Sequence, residues 1–190
     1  MFFDSNNTDW DKIKIGLKKY ETIMKLFHAT DVSRNLDFQR TFNGFYRVKL
    51  KSKEFYQTFY EFLELNKNKE ISFQETIEHF FKKFDRLESS FSSKILATIN
   101  PNQPVWDSEV LKRLNLRSPG YNLSPETRFL RILETYNKIC NWYDDFLKTD
   151  VSKKMLDMFN QKIPNANITD VKKIDFILWQ TRDKKSEKSK

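Results

Sequence analysis

An all-α domain is the fold class that the sequence predicts. Only 3 of the 190 residues are glycine and 5 are proline, which is too few for the many tight turns of a β-sandwich or barrel. Apolar residues instead recur at helical spacing along most of the chain. We expect roughly eight or nine helices in a single domain over residues 1–183, followed by a disordered basic tail at 184–190.

Two helices are predicted in the first quarter of the chain. Residues 10–29 place apolar side chains on one face and lysines on the other, which is typical of an amphipathic helix. Residues 31–42 predict a second, shorter helix, and Asn43-Gly44 then predicts a turn. The run at 45–51 that follows is either extended or a loop.

Serines that cap helix N-termini predict where the next two helices begin. Ser52 precedes an aromatic-rich pattern, which predicts a helix over 53–65. Ser72 and Glu75, three positions apart, form a capping box that predicts a helix over 73–84.

The second half of the chain predicts five more helices. Asp107 and Thr169 are N-cap residues, and Ser124-Pro125 opens the longest apolar pattern, with proline at the first helical position. The helices are expected near 91–99, 108–116, 125–147, 151–159 and 170–182. A degenerate hairpin-like unit at 89–117 lies near the centre of this arrangement.

Composition excludes several classes of site. The single cysteine, Cys140, rules out an intrachain disulfide and any cysteine-based zinc or iron–sulfur site. The two histidines, His28 and His79, are far apart in sequence, so we expect no metal and no cofactor.

No apolar run reaches the roughly 18 residues of a membrane span, and no basic start precedes a signal-like segment. We therefore expect a cytoplasmic protein with no membrane partner.

Net charge favours a polyanionic partner. The formal net charge is +8, and the five positive and two negative residues of the tail at 182–190 leave +5 in the body. A basic body is compatible with nucleic acid, although a genome rich in A and T also inflates the lysine content.

Lys94 and Asp107 are the candidate catalytic residues. The sequence contains no Gly-rich phosphate loop, no HExxH, no GxSxG and no CxxC. A lysine whose pKa is lowered at a helix N-terminus is an amine nucleophile, and a nearby aspartate deprotonates it or stabilises a cationic sugar. This pair suits the removal of a base from DNA. The simpler alternative for Asp107 is a helix cap without chemistry.

The residues around this pair resemble a known superfamily. PVWDSEVLKRLNL at 104–116 is similar to the catalytic segment of the helix-hairpin-helix DNA glycosylases, the superfamily of endonuclease III and 8-oxoguanine glycosylase. Ser90-Phe91-Ser92-Ser93-Lys94 resembles its Gly-hydrophobic-Gly-x-Lys hairpin, with serines in place of both glycines. The chain also resembles small uncharacterised bacterial proteins that share SFxSK, PVxDSxV and KKIDxxLWQ.

The resemblance implies roles for particular residues. Asp107 matches the catalytic aspartate, and Lys94 takes the position of the Schiff-base lysine of bifunctional members. It also implies contacts to double-stranded DNA at the hairpin positions, which are Ser90, Ser92 and Ser93 here. Lys112, Arg113 and Arg117 follow Asp107 and either contact phosphates or form a solvated helix face. The expected function is excision of a flipped damaged base by a glycosylase with lyase activity. The alternatives are a non-catalytic helical module that binds nucleic acid or protein, and a role in phage defence.

Three further side chains have two interpretations each. Trp106 and Trp179 are candidates to stack on an extruded base, although large aromatic residues in helical proteins usually belong to the core. Asp175 lies between apolar neighbours in the last helix, where a structural pair is favoured over a role as a second active-site carboxylate.

Overall fold

A computed structural model of the chain describes residues 8–48 and 51–181. In these two ranges the regular structure is entirely α-helical, apart from an isolated antiparallel bridge between Thr8 and Thr181. The helices are α1 (Trp10–Ala29), α2 (Leu36–Tyr46), α3 (Lys53–Leu65), α4 (Phe73–Phe84), α5 (Ser89–Ile99), α6 (Ser108–Arg113), α7 (Pro125–Phe146), α8 (Asp150–Lys162) and α9 (Asp170–Gln180). The predicted all-α fold is confirmed, and the predicted tail at 184–190 lies outside the described residues.

The caps predicted from sequence set the starts of α3 and α4. The Ser52 hydroxyl accepts a hydrogen bond from the backbone N–H of Phe55 at 3.1 Å. In the capping box of α4, the Glu75 N–H donates to the Ser72 hydroxyl at 3.1 Å, and the Ser72 N–H donates to the Glu75 carboxylate at 2.7 Å. These three hydrogen bonds satisfy backbone N–H groups that the start of a helix leaves without a partner, so both boundaries follow from local sequence.

Helix α2 departs from its prediction. It begins after Asn35, whose side chain accepts from the Phe38 N–H at 2.9 Å, and it continues through Asn43-Gly44 to a left-handed residue, Arg47. The predicted turn is wrong because tertiary contacts extend the helix: the Tyr60 hydroxyl donates to the Asn43 side chain at 2.7 Å, and Tyr46 is buried.

Two apolar clusters make up the core. The first is rich in phenylalanine and is formed by residues of α1 to α5, and the second is formed by residues of α1 and of α4 to α9. Phe45 and Trp179 pack against both clusters, which places them at the seam between the two. No helix in the described ranges combines the length and apolarity that crossing a membrane demands.

Candidate functional site

A pocket of about 380 Å³ opens at the seam between the two clusters. We call it the Lys94 pocket; its walls include Gly16 of α1, Tyr46 of α2, Lys94 of α5, Asp107 at the start of α6 and Trp179 of α9. A carbon atom at the Cβ position of Gly16 would lie 3.0 Å from the Phe176 ring, so the lack of a side chain there lets α1 approach α9 closely. The two predicted catalytic residues therefore share one cavity.

Lys94 is a buried amine. It lies in the second turn of α5 and is 8% exposed, and its Nζ is 5.2 Å from the centre of the Phe91 ring. Burial lowers the pKa of Lys94, while the negative charges of Asp107 and Glu88 partly offset that effect. We expected a lowered pKa from a helix N-terminus, but Lys94 is inside α5, so desolvation is the cause instead.

Asp107 caps α6, as its sequence position predicts. Its Oδ1 accepts a hydrogen bond from the Glu109 backbone N–H at 2.8 Å. Its charge also raises the pKa of Lys94, although no ion pair joins these two described side chains directly. Asp107 therefore caps a helix and exerts a field on the buried amine at the same time.

One hydrogen bond explains why residues 13 positions apart reach the same pocket. The backbone N–H of Trp106 donates to the Ser93 hydroxyl at 2.9 Å, and these residues are the immediate neighbours of Asp107 and Lys94. A second hydrogen bond holds the connection from α5 to α6 two residues before Trp106: the Tyr136 hydroxyl donates to the Pro104 carbonyl at 3.0 Å. Folding this connection back on α5 places Asp107 beside Lys94.

The predicted DNA contacts of Ser92 and Ser93 need correction, whereas that of the half-buried Ser90 stays a prediction. Ser92 and Ser93 are 0% exposed, so their side chains do not reach a phosphate on the surface. The Ser93 hydroxyl is also engaged, since it donates to the Ser90 carbonyl at 3.0 Å and accepts from Trp106. All three serines lie inside α5 and not in a turn before it, so the glycine hairpin of the resembled superfamily has no counterpart at these positions.

The cations that follow Asp107 divide into two groups. Arg113 donates from Nε to the Leu178 carbonyl at 3.0 Å and from its guanidinium to the Thr181 carbonyl, so it holds the last turn of α9. This contact gives Arg113 a structural role, in contrast to the predicted phosphate contact. Lys112 and Arg117 are exposed, and their contacts to DNA stay predictions.

The two tryptophans are in different environments. Trp106 is 3% exposed and stacks in the core on Phe73, with ring centres 6.3 Å apart, so the prediction that it stacks on an extruded base is wrong. Trp179 is half-buried in the wall of the Lys94 pocket, and its indole Nε1 has no hydrogen-bond partner among the described residues. Base stacking by Trp179 stays a prediction.

Asp175 belongs to a closed polar cluster. Its Oδ2 accepts from the Lys172 ammonium at 2.9 Å, its Oδ1 accepts from the Tyr143 hydroxyl, and both members of the ion pair are 0% exposed. Burial raises the pKa of the Asp175 carboxyl, and Lys172 opposes that shift. The structural interpretation of Asp175 agrees with this pairing, with Lys172 as its partner.

Sequence reasoning missed the walls of the pocket that come from α1 and α2. Lys12 and Lys19 are seven residues apart on α1, and Tyr46 and Arg47 follow from the unexpected extension of α2. The interval of seven was a usable signal, because it places both lysines on one helix face. The place of Tyr46 in the pocket wall was not predictable, because the sequence predicted that the helix ends in a turn at Asn43-Gly44, before Tyr46.

The fold and the site define a class: an all-helical protein with a buried lysine and a carboxylate in one basic-rimmed pocket. In comparisons with known proteins, no family model, no curated protein and no solved structure matches the chain. Among the described residues, no group of three or more His, Cys, Asp or Glu side chains is arranged to hold a metal ion.

Proposed function

We propose that the protein excises a damaged base from double-stranded DNA and cleaves the strand as a lyase, with Lys94 as nucleophile. The observation that carries the proposal is the shared pocket of Lys94 and Asp107, in which burial lowers the pKa of the amine. A lowered pKa increases the neutral fraction of the amine near pH 7, and only the neutral amine has a free electron pair for attack.

The chemistry begins at C1′ of a flipped nucleotide. The Lys94 electron pair attacks C1′ and forms the Nζ–C1′ bond while the C1′–N bond to the base breaks. The base leaves with the electron pair of that broken bond and takes up a proton. The amine then loses a proton, the C1′–O4′ bond breaks, O4′ is protonated, and an imine forms between C1′ and Nζ. Removal of a proton from C2′ expels the 3′ phosphate and nicks the strand, and water releases Lys94 from the imine.

Asp107 assists the first step in this proposal. Its carboxylate stabilises the positive charge that develops on the sugar as the base departs, and it accepts the proton that the amine releases. A volume of about 380 Å³ is within the range of small-ligand pockets and accommodates a nucleobase. The Trp179 indole in the wall offers a flat surface on which an extruded base stacks.

Reductive trapping tests the proposal directly. Borohydride converts the imine into a stable amine, so wild-type protein should form a covalent adduct with duplexes that carry an abasic site or a damaged base. Lys94→Ala should form none, whereas Lys153→Ala, at an exposed lysine of α8, should match wild type. Equal adduct from Lys94→Ala, with circular dichroism showing that it is folded, would falsify the assignment of Lys94.

A second candidate is a helical module that binds nucleic acid without chemistry. The observation that favours it is the burial of Ser92 and Ser93, which removes the phosphate-binding turn of the resembled enzymes. This candidate predicts salt-dependent DNA binding with no adduct and no base release on any damaged duplex. The two candidates therefore differ in the trapping result and not in the binding result.

A further inference from the structure

A second groove joins the Lys94 pocket along α1 and α2. It has a volume of about 440 Å³, and we call it the α1–α2 groove; its walls are Lys18, Lys19, Thr22, Arg40, Thr41 and Gly44. Lys19 and Gly44 also line the Lys94 pocket, so the two cavities meet at these residues. A ligand in the groove is therefore next to the pocket that contains the buried amine.

The charge along this route is positive. Among the described residues, no acidic side chain lines the α1–α2 groove, and neither Lys18 nor Lys19 forms an ion pair. Arg40 makes only a loose pair with Asp37, at 3.8 Å, and both side chains are largely exposed.

Around the adjoining pocket the cations continue with Arg47 and with Lys12, which is paired with Asp9 at 2.9 Å. Asp107 and Glu109 are the acidic residues of that pocket, so the excess of positive charge lies on the side of the groove. Cations in a row attract a polymer of regularly spaced negative charges.

Gly44 lies where the two cavities meet. It lies inside α2, where glycine is less favourable than alanine, and a carbon atom at its Cβ position would have no neighbour within 4 Å. No packing contact therefore requires glycine at this position. A larger side chain at residue 44 would instead project toward the space that connects the groove to the pocket.

We propose that the α1–α2 groove binds the sugar-phosphate backbone of one nucleic-acid strand and leads that strand into the Lys94 pocket. The inference rests on the proposed function for the identity of the ligand and places the phosphate contacts on Lys18, Lys19 and Arg40. It relocates the main phosphate-binding surface from the start of α5 to the face between α1 and α2. Binding here requires no chemistry at Lys94.

Salt-dependent binding of a fluorescent, undamaged single-stranded oligonucleotide tests the groove. The variant Lys18→Gln/Lys19→Gln/Arg40→Gln should bind at least about tenfold more weakly, and the slope of log K against log salt should fall by about 2, since each lost phosphate contact on a single strand removes about 0.7. The matched control is Lys153→Gln/Lys154→Gln/Lys162→Gln on α8, which removes three exposed cations outside both cavities and should leave the slope near that of wild type.

Substitutions at Gly44 test the passage from groove to pocket without changing charge. Gly44→Ala should bind as wild type, and Gly44→Leu should bind several-fold more weakly. Circular dichroism and thermal melting of every variant identify loss of fold. Equal weakening in the two triple variants, an unchanged affinity in Gly44→Leu, or no oligonucleotide binding by the wild type would overturn the proposal. Because the oligonucleotide is undamaged, a failure of trapping at Lys94 leaves these results unaffected.

Discussion

Two buried lysines of this protein have opposite environments. Lys172 is 0% exposed, and its ammonium contacts the Asp175 carboxylate at 2.9 Å, beside the Tyr143 hydroxyl. Lys94 is 8% exposed and lines a cavity, and its nearby aspartate acts on it without a direct ion pair between them. Each lysine thus has an aspartate near it, but only Lys172 forms a direct ion pair with its aspartate.

The difference separates a buried charge that is compensated within the fold from one that is not. A buried charge with a close partner and further hydrogen bonds is compensated within the fold. A buried amine that faces a cavity without such a partner keeps its desolvation cost, and a lowered pKa in a pocket is typical of functional sites. The Lys172–Asp175 pair therefore holds α9 in the core, whereas the Lys94 amine lines a cavity without a direct counter-charge among the described residues.

The largest effect on stability is expected when the buried Lys172–Asp175 ion pair is broken. Asp175→Asn leaves the Lys172 charge buried without a counter-charge, and it should lower the free energy of unfolding by about 3–5 kcal/mol. Urea denaturation followed by circular dichroism measures this change. The double variant Lys172→Met/Asp175→Asn removes both charges and keeps an acceptor for Tyr143, so it should recover much of the loss. If Asp175→Asn is as stable as wild type, the pair does not stabilise the fold.

Substitution of Lys94 should change the free energy of unfolding in the opposite direction. Lys94→Met removes a buried amine and keeps an unbranched side chain of similar length, so it should raise the free energy of unfolding by about 1 kcal/mol at pH 7, with loss of trapping. Because the folded-state pKa lies below the ordinary 10.5, the unfolded chain binds more protons between these two values. Wild-type stability from this group therefore rises with pH in that window, and the advantage of Lys94→Met should shrink as the pH approaches 10.5.

Denaturation curves of both proteins at a series of pH values check this sign. A stability gap that is constant up to pH 10, or one that grows, would show that the pKa of Lys94 is not lowered. The exposed control Lys153→Met should not show this gain in the free energy of unfolding, because an exposed ammonium has no desolvation cost to lose.

Local sequence predicted the helices well where capping side chains determine the boundary. The Ser72–Glu75 box and the Ser52 cap each require only neighbouring residues, and the observed hydrogen bonds are the predicted ones. Helix α2 was misplaced because its end depends on the contact between Tyr60 and Asn43, 17 residues apart. Such a contact overrides the turn preference of Asn43-Gly44 and has no signature in the local pattern.

The candidate site was only partly accessible from sequence. Lys94 and Asp107 were recognisable by residue type and by their motif, but their shared pocket depends on the Ser93–Trp106 hydrogen bond and on walls from α1, α2 and α9. For Trp106, the sequence allowed both core packing and base stacking, and core packing is the usual fate of a large aromatic residue. The choice between the two required the observed contact with Phe73. The pairing of Asp175 with Lys172, three residues earlier on the same helix, was open to prediction from spacing.

The smallest effect on stability is expected at Asp107, where the cap and the field on Lys94 can be separated. Asn caps a helix about as well as Asp, so Asp107→Asn should stay within a few tenths of a kcal/mol of wild type, whereas Asp107→Ala should lose about 1 kcal/mol. Both variants remove the negative charge that raises the pKa of Lys94, so this pKa should fall further in each. NMR titration of the Lys94 side chain measures that shift, and urea denaturation measures the cap. If Asp107→Asn releases a damaged base as fast as wild type, Asp107 has no catalytic role, and only its cap and its effect on the pKa of Lys94 remain.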